Sequence, residues 1–275
     1  MKIGCHVSIA GGIQNAPQRA GELGCEVFQI FSRSPRGGAA PKITDQVAKE
    51  FKEAMGKYSQ ENCYIHTPYY INFASSDPEM RQTAVRICRE ELERGSLIGA
   101  KYIMTHLGSS KDFTREEALD LVARGVKEVI KGYKGTTKFL LEISAGAGNI
   151  IGDSFDELGH ILEKADGDIG ICLDTAHMFA SGYDIKSKDG FKEVVRKLKN
   201  STGLDKVKLI HTNDSKIELG GRKDRHEHIG KGKIGEEGFV QMIKTFPNLD
   251  FILETEHDFV KDDISLLKKM RKKYE

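Results

Sequence analysis

At 275 residues and a net charge of +1, the chain is long enough to bury one large core, and its bulk charge commits it to no particular partner. Its five cysteines are scattered, odd in number and without a C-x-x-C pair, which argues against a disulfide framework or a thiolate zinc site and for small buried hydrophobes. No apolar run approaches the ~18 residues of a membrane span, and "MKIGCHVSIAGG" lacks the apolar core of a signal peptide, so no membrane association and a cytoplasmic location are expected.

Along the chain one alternation recurs: a short apolar run, a loop, then an amphipathic helical pattern. The runs are "KIGCHV", "VFQIFS", "CYIH", "YIMTH", "KFLLEIS", "IGICLD", "VKLIHT" and "FILETE". Several are almost continuously apolar, as parallel strands covered on both faces must be. Between them lie helix starts. Asp77-Pro78 reads as an N-cap followed by a first-turn proline. Thr114-Arg115-Glu116-Glu117 is a capping box, after which Ala118, Leu121, Val122, Val126, Val129 and Ile130 follow at helical spacing. Ser154-Phe155-Asp156-Glu157 repeats that device before Leu158, Ile161 and Leu162, and the chain closes on the striped segment "ISLLKKMRKKY". No Pro/Gly/Ser linker divides the chain. Strands alternating with helices in this way predict a single α/β domain over 1–275, a (β/α)8 TIM barrel. An open doubly wound sheet is the alternative, but neither G-x-G-x-x-G nor a Walker A loop supports it.

The polar residues closing the runs form a pattern. His66, His106, Glu142, Asp174, His211 and Glu254 fall at or near the ends of six consecutive strands, from the third to the eighth. In a barrel these ends share one face, where active sites are built. A single strand-end His or Glu is ordinary; six in succession favour a metal site. Two loops add donors. In "CLDTAHMFASGYD" His177 follows Asp174 by three residues, one turn on if a short helix begins there. In "GGRKDRHEHIGKGKIG" Asp224 and His226 are two apart, and on an extended segment such residues point the same way. His228 shares that direction, so spacing alone leaves it open as a ligand.

Imidazole and carboxylate without thiolate suit zinc, with manganese or iron as substitutes. Four crowded carboxylates would repel a phosphate, whereas divalent ions among them would attract one. That sign reversal favours phosphoester chemistry, in which metals activate water and clamp the attacking and leaving oxygens.

These residues, in this order, resemble the endonuclease IV family of apurinic/apyrimidinic (AP) endonucleases. The likeness runs from "HVSIAGG" to "FILETE", and "CLDTAHMFASGYD", "LIHTNDSK", "DRHEHIGKGKIG" and "FILET" are its most specific pieces. The resemblance implies a TIM barrel that holds three zinc ions and cleaves duplex DNA 5′ to abasic sites, leaving a 3′-hydroxyl and a 5′-deoxyribose phosphate. It implies His66 and His106 on a first zinc, with Glu142 bridging to a second that Asp174, His211 and Glu254 complete. His177, Asp224 and His226 would hold the third. The family pattern has two variable residues after D-R-H, which puts His228 at a variable position and leaves Arg225 pointing away from the ligands, toward a carboxylate or a DNA phosphate.

By position in the same family, Arg36 in "FSRSPRGG" and Tyr69 and Tyr70 in "HTPYYIN" would enter the DNA at the lesion. Here "SPRGG" lacks the bulky aromatic that some members carry after the arginine, and Tyr70 stands where others have an aliphatic residue. The implied partner is double-stranded DNA with abasic sites, bound by a monomer. Among the remaining polar residues, His6 ends the first strand and could line the pocket, His257 could support the ligands, and His160 reads as surface. Lys231 and Lys233 could meet phosphates. Two alternatives compete with this reading. Sugar isomerases of this barrel type use positions comparable to Glu142, Asp174, His211 and Glu254 but have no need of the other five ligands. A non-catalytic DNA-binding module would not need complete ligand sets.

Overall fold

In the computed structural model, which describes residues 1–274, the apolar runs are eight parallel strands closed into a barrel. They are β1 (Ile3–His6), β2 (Val27–Phe31), β3 (Asn62–His66), β4 (Tyr102–Thr105), β5 (Lys138–Glu142), β6 (Ile169–Asp174), β7 (Val207–His211) and β10 (Asp250–Leu253). A two-stranded antiparallel ribbon, β8 (Asp214–Ser215) with β9 (His226–Glu227), stands outside the barrel. The helices are α1 (Ala16–Glu22), α2 (Asp45–Lys57), α3 (Pro78–Ile98), α4 (Arg115–Ile130), α5 (Phe155–Ala165), α6 (Thr175–Ala180), α7 (Lys188–Ser201), α8 (Glu236–Thr245) and α9 (Val260–Tyr274). The architecture is the TIM barrel expected from the alternation. None of the described helices is long and apolar enough to cross a membrane.

The barrel interior is a separate apolar cluster of Val27, Tyr64, Met104, Leu140, Cys172, Leu209 and Ile252, all fully buried. Strand side chains alternate with period two, so the residue two positions further on returns to the same face. Those residues are Gln29, His66, His106, Glu142, Asp174, His211 and Glu254. The fold thus stacks a polar layer directly on an apolar plug, at the C-terminal ends of the strands. The first strand obeys the same rule with Gly4 and His6; a Cβ on Gly4 would lie 1.6 Å from the Val27 carbonyl oxygen. A larger cluster between strands and helices forms the main core, with Phe28, Phe51, Phe73, Phe139, Phe155 and Phe239 among its largest members.

Helix starts follow the sequence signals. Asp77 caps α3 through the Glu79 N–H with Pro78 in its first turn, and Gly99 ends the helix at φ 78°. Thr114 and Glu117 close a reciprocal capping box on α4. At α5 the device is only half formed. The Ser154 hydroxyl accepts from the Glu157 N–H, but the Glu157 carboxylate is drawn to the Arg115 guanidinium and the Gly152 N–H instead of the Ser154 backbone.

Candidate metal centre

All nine sequence-designated ligands converge on the mouth of the barrel. His66, Glu142, Asp174 and His211 are the last residues of their strands, and His106 and Glu254 each lie one residue beyond. Their donor atoms form three groups, each within 4.8 Å: His66, His106 and Glu142; Glu142, Asp174, His211 and Glu254; Asp174, His177 and His226. Asp224, half exposed on the approach to β9, lies 3.2 Å from both His177 Nε2 and His226 Nε2. Asp174 therefore shares the third group that the resemblance gave to His177, Asp224 and His226. It also caps α6, accepting from the His177 N–H at 2.8 Å, which locks the one-turn relation of the two residues.

Three of the imidazoles, His66, His177 and His211, are oriented as metal ligands are, by an outer nitrogen tied to an acceptor and an inner nitrogen turned toward the cluster, whereas the outer Nδ1 of His106 is buried without a partner. His66 Nδ1 donates to the Thr67 carbonyl at 2.7 Å and His177 Nδ1 to the Ile143 carbonyl at 2.9 Å. His211 Nε2 donates to Gln29 Oε1 at 2.7 Å, leaving Nδ1 facing Glu142 and Glu254. The inner Nε2 atoms of His177 and His226 are buried without a hydrogen-bond partner, although a carboxylate oxygen of Asp224 lies close to each. Both belong to one donor group, with Asp174, whose atoms all lie within 4.8 Å of one another. Buried polar atoms without partners are costly, and a cation held within that group would satisfy them together. The residues fit divalent metal.

Electrostatics make the same demand. Burial opposes a charge on His177, but the carboxylates of Asp174 and Asp224 outweigh it and push the imidazole up to about 10. His226 is likewise raised, to about 9, against burial by Asp174 and Asp224. Glu142 is fully buried, yet His106, His211 and His66 hold its carboxyl well below the usual carboxylate range. His106 goes the other way, its imidazole lowered by burial. The two Glu142 oxygens divide their neighbours: Oε2 lies 2.9 Å from His66 Nε2 and 3.8 Å from His106 Nε2, while Oε1 lies 3.0 Å from His211 Nδ1.

The rest of the "DRHEH" stretch turns away. The β9 segment is only His226–Glu227, and the chain then bends, so His228 loses the shared direction. Its Nδ1 lies 2.7 Å from Asp263 and its Nε2 3.1 Å from Asp258, which occupies both nitrogens. Arg225 meets no carboxylate among the described residues. Its guanidinium donates to the Asp224 carbonyl at 2.7 Å and lines the central pocket.

Two supporting residues escaped the sequence reading. Gln29, fully buried, donates to Glu254 Oε1 at 2.6 Å while accepting from His211. Asn213, also fully buried, donates to Asp174 Oδ2 at 2.7 Å and accepts from the Glu254 N–H at 2.8 Å. Gln29 could have been found by applying period two to "VFQIFS", which puts it in the ligand layer.

The pocket over the cluster has a volume of about 430 Å³, and His6, Phe31, Tyr69 and His257 join the ligands in lining it. Burial pushes the His6 imidazole down to about 4, and His257 Nε2 donates to the His6 carbonyl at 2.9 Å. Tyr69 is 67% exposed and stands edge-on to Phe31, with ring centroids 5.2 Å apart. Arg36 is exposed outside the central pocket and lines a neighbouring cleft with Tyr70, which packs partly on the core. The loop leading to Arg36 is anchored from behind: Ser32 and Arg33 both donate at 2.5 Å to the fully buried Glu91 on α3. His160 pairs with Asp120 on the helical exterior. Lys233 is paired with Glu218, and Lys231 lies 4.4 Å above the Phe259 ring.

A family described as xylose isomerase-like TIM barrels matches residues 17–270. The probable endonuclease 4 of Aquifex aeolicus is 40% identical over 269 residues, covering 96% of this chain and 94% of that one. That of Carboxydothermus hydrogenoformans is 38% identical over 274 residues, covering 98% and 96%. Among solved structures, endonuclease IV from Thermus thermophilus superposes with a TM-score of 0.87 at 29% identity, covering 100% of this chain and 98% of that one. A D-tagatose 3-epimerase-like protein shares the fold alone, at a TM-score of 0.72 and 18% identity. With relatives of that identity over almost its whole length, and with every ligand position of the resemblance gathered at one barrel mouth, the chain belongs to the endonuclease IV family.

Proposed function

We propose that the protein is a zinc-dependent AP endonuclease of base excision repair that hydrolyses the phosphodiester 5′ to abasic sites in duplex DNA, leaving a 3′-hydroxyl and a 5′-deoxyribose phosphate. The observation that carries this reading is the splitting of Glu142 between two ligand groups beside a third group with unpartnered inner nitrogens. A sugar isomerase or epimerase on this barrel needs one or two metals and leaves His66, His106, His177, Asp224 and His226 without a purpose. In this assignment His66, His106 and Glu142 hold one zinc. Glu142, Asp174, His211 and Glu254 hold a second, and His177, Asp224 and His226 hold the third, with Mn²⁺ or Fe²⁺ as substitutes. Divalent ions held there supply Lewis acidity, neutralising the phosphodiester and activating the attacking water.

The chain's own residues do the rest. Glu142 keeps two ligand groups in one rigid arrangement, backed by the apolar plug beneath it. Gln29 and Asn213 fix the rotamers of His211, Glu254 and Asp174, so that the donors are in place before substrate arrives. Phe31 and Tyr69 give the pocket an apolar wall that sheds water from the reacting phosphate. Purified protein reconstituted with zinc should carry about three ions per chain and nick an abasic oligonucleotide to an end that a polymerase extends. One ion or fewer after reconstitution, or an intact oligonucleotide with a sugar epimerised instead, would overturn the reading.

Lesion recognition falls to the rim. The exposed Tyr69 ring and the Arg36 side chain border the metal pocket and its neighbouring cleft, with Tyr70 behind them. Extruding a nucleotide costs a few kcal/mol, least where pairing is already absent, and inserted side chains offset that cost. A stacked aromatic contributes ~1–3 kcal/mol. Tyr69→Ala should therefore reduce the preference for abasic over intact duplex by about tenfold, and Arg36→Ala should act in the same direction, both with unchanged metal content. Equal losses of affinity for the two duplexes would mean that these residues only touch the backbone.

A further inference from the structure

The segments "NDSK" and "IGKGKIG" are separated in sequence by the "DRHEH" stretch, and the metal assignment uses neither. In the structure they meet at one side chain. Asp214, fully buried at the start of β8, accepts backbone N–H groups from Gly230 at 3.0 Å, Gly232 at 3.1 Å, Ile234 at 2.9 Å and Gly235 at 3.2 Å, besides that of Ser215 at 2.8 Å. A glycine-rich loop whose successive N–H groups converge is a nest for an anion. Here the anion is the chain's own carboxylate, so the loop has no free nest for a DNA phosphate and offers only its lysine side chains.

We infer that Asp214 is a positioning residue that folds the 230–235 loop onto β8 and thereby holds the Asp224–His226 segment at the third ligand group. The connection is direct. Asp214 and Ser215 pair with Glu227 and His226 in the ribbon, and the Lys216 N–H extends the pairing to the Arg225 carbonyl at 3.0 Å. Beyond β9 the chain bends back to the Asp214 carboxylate, and the Lys233 N–H closes on the Ser215 carbonyl at 2.8 Å. His226 is thus held on its ladder side by β8 and on its C-terminal side by the loop that Asp214 gathers. The fit leaves no room for a side chain at Gly232, where a Cβ would stand 2.4 Å from Asp214 Oδ1 and 2.6 Å from the Ser215 carbonyl oxygen.

The inference rests on the proposed metal assignment for its consequence but not for its geometry, and the test separates the two. Asp214→Asn keeps the shape and turns one acceptor into a donor facing N–H groups. Hydrogen exchange on the metal-free and zinc-loaded protein should show the amides of Gly230, Gly232, Ile234 and Gly235 exchanging at least ~10-fold faster than in wild type. Zinc titration should show one of the ions bound ~10–100-fold more weakly, as loss of an outer support does, with the others unchanged. Gly232→Ala, which displaces the same contact and keeps the charge, should reproduce both effects. Unchanged amide protection in Asp214→Asn overturns the inference, as does normal zinc affinity with a loosened loop. Failure of both variants to fold also overturns it, by making the contact essential to the whole fold. Wild type that binds no zinc would sink the metal assignment instead, while the exchange data still decide what Asp214 holds.

Discussion

Glu142→Gln is expected to lower the rate of abasic-site incision by at least ~10³-fold, about 4 kcal/mol of barrier, while affinity for abasic duplex changes by less than about threefold. Glu142 is fully buried at the centre of the cluster, and its two oxygens serve different neighbours: His66 and His106 on one side, His211 on the other. The amide replaces one oxygen with a donor that cannot bind a cation and that faces imidazole nitrogens. Either flip of the amide spoils one of the two ligand groups. DNA affinity, by contrast, comes largely from contacts to the phosphate backbone, and the fully buried Glu142 offers no surface to the duplex. Single-turnover incision and equilibrium binding on the same abasic oligonucleotide separate the two quantities. Incision near the wild-type rate would remove Glu142 from the role assigned to it. A parallel loss of binding and rate would mean that the substitution collapses the pocket.

How much of this was legible beforehand differs residue by residue. The strand-end cluster could be read because a buried parallel strand is a run of apolar residues whose polar terminator stands out, and because a barrel gathers such terminators on one face. Gln29 obeys the same period-two rule, which is the one signal in "VFQIFS" that places it in this layer, since its uncharged side chain does not stand out as a terminator. The failed half of the α5 capping box has a different cause. Glu157 had two competing partners, Arg115 from another helix and the Gly152 N–H, and neither is visible in a four-residue motif. The β8–β9 ribbon was not predicted at all. Two-residue strands have no periodicity to read, and this pair exists because Asp214 gathers distant backbone donors. His228 was ambiguous for a related reason: spacing describes an extended chain, and the chain bends after Glu227 to reach Asp263.

That bend sets the contrast between two histidines separated by one residue. His226→Ala should lower zinc content by about one ion per chain and cut incision by about 10³-fold, ~4 kcal/mol of barrier, since its Nε2 is one of the inner nitrogens of the third group. His228→Ala should retain its metals and most of its activity but lose stability. Its Nδ1 is 2.7 Å from the buried Asp263 carboxylate, which also accepts from the Ile229 N–H at 3.0 Å and the Thr255 hydroxyl at 2.8 Å. Removing the imidazole leaves that carboxylate short of one donor, a deficit worth ~1–3 kcal/mol in a buried site. Elemental analysis, incision kinetics and urea unfolding on the two variants read all three quantities. The pattern expected is crossed: His226→Ala loses the ion and the rate, and His228→Ala loses only the unfolding midpoint. If His228→Ala sheds an ion while His226→Ala keeps the full complement, the ligand is the wrong histidine. The bend that separates them would then not exist in solution.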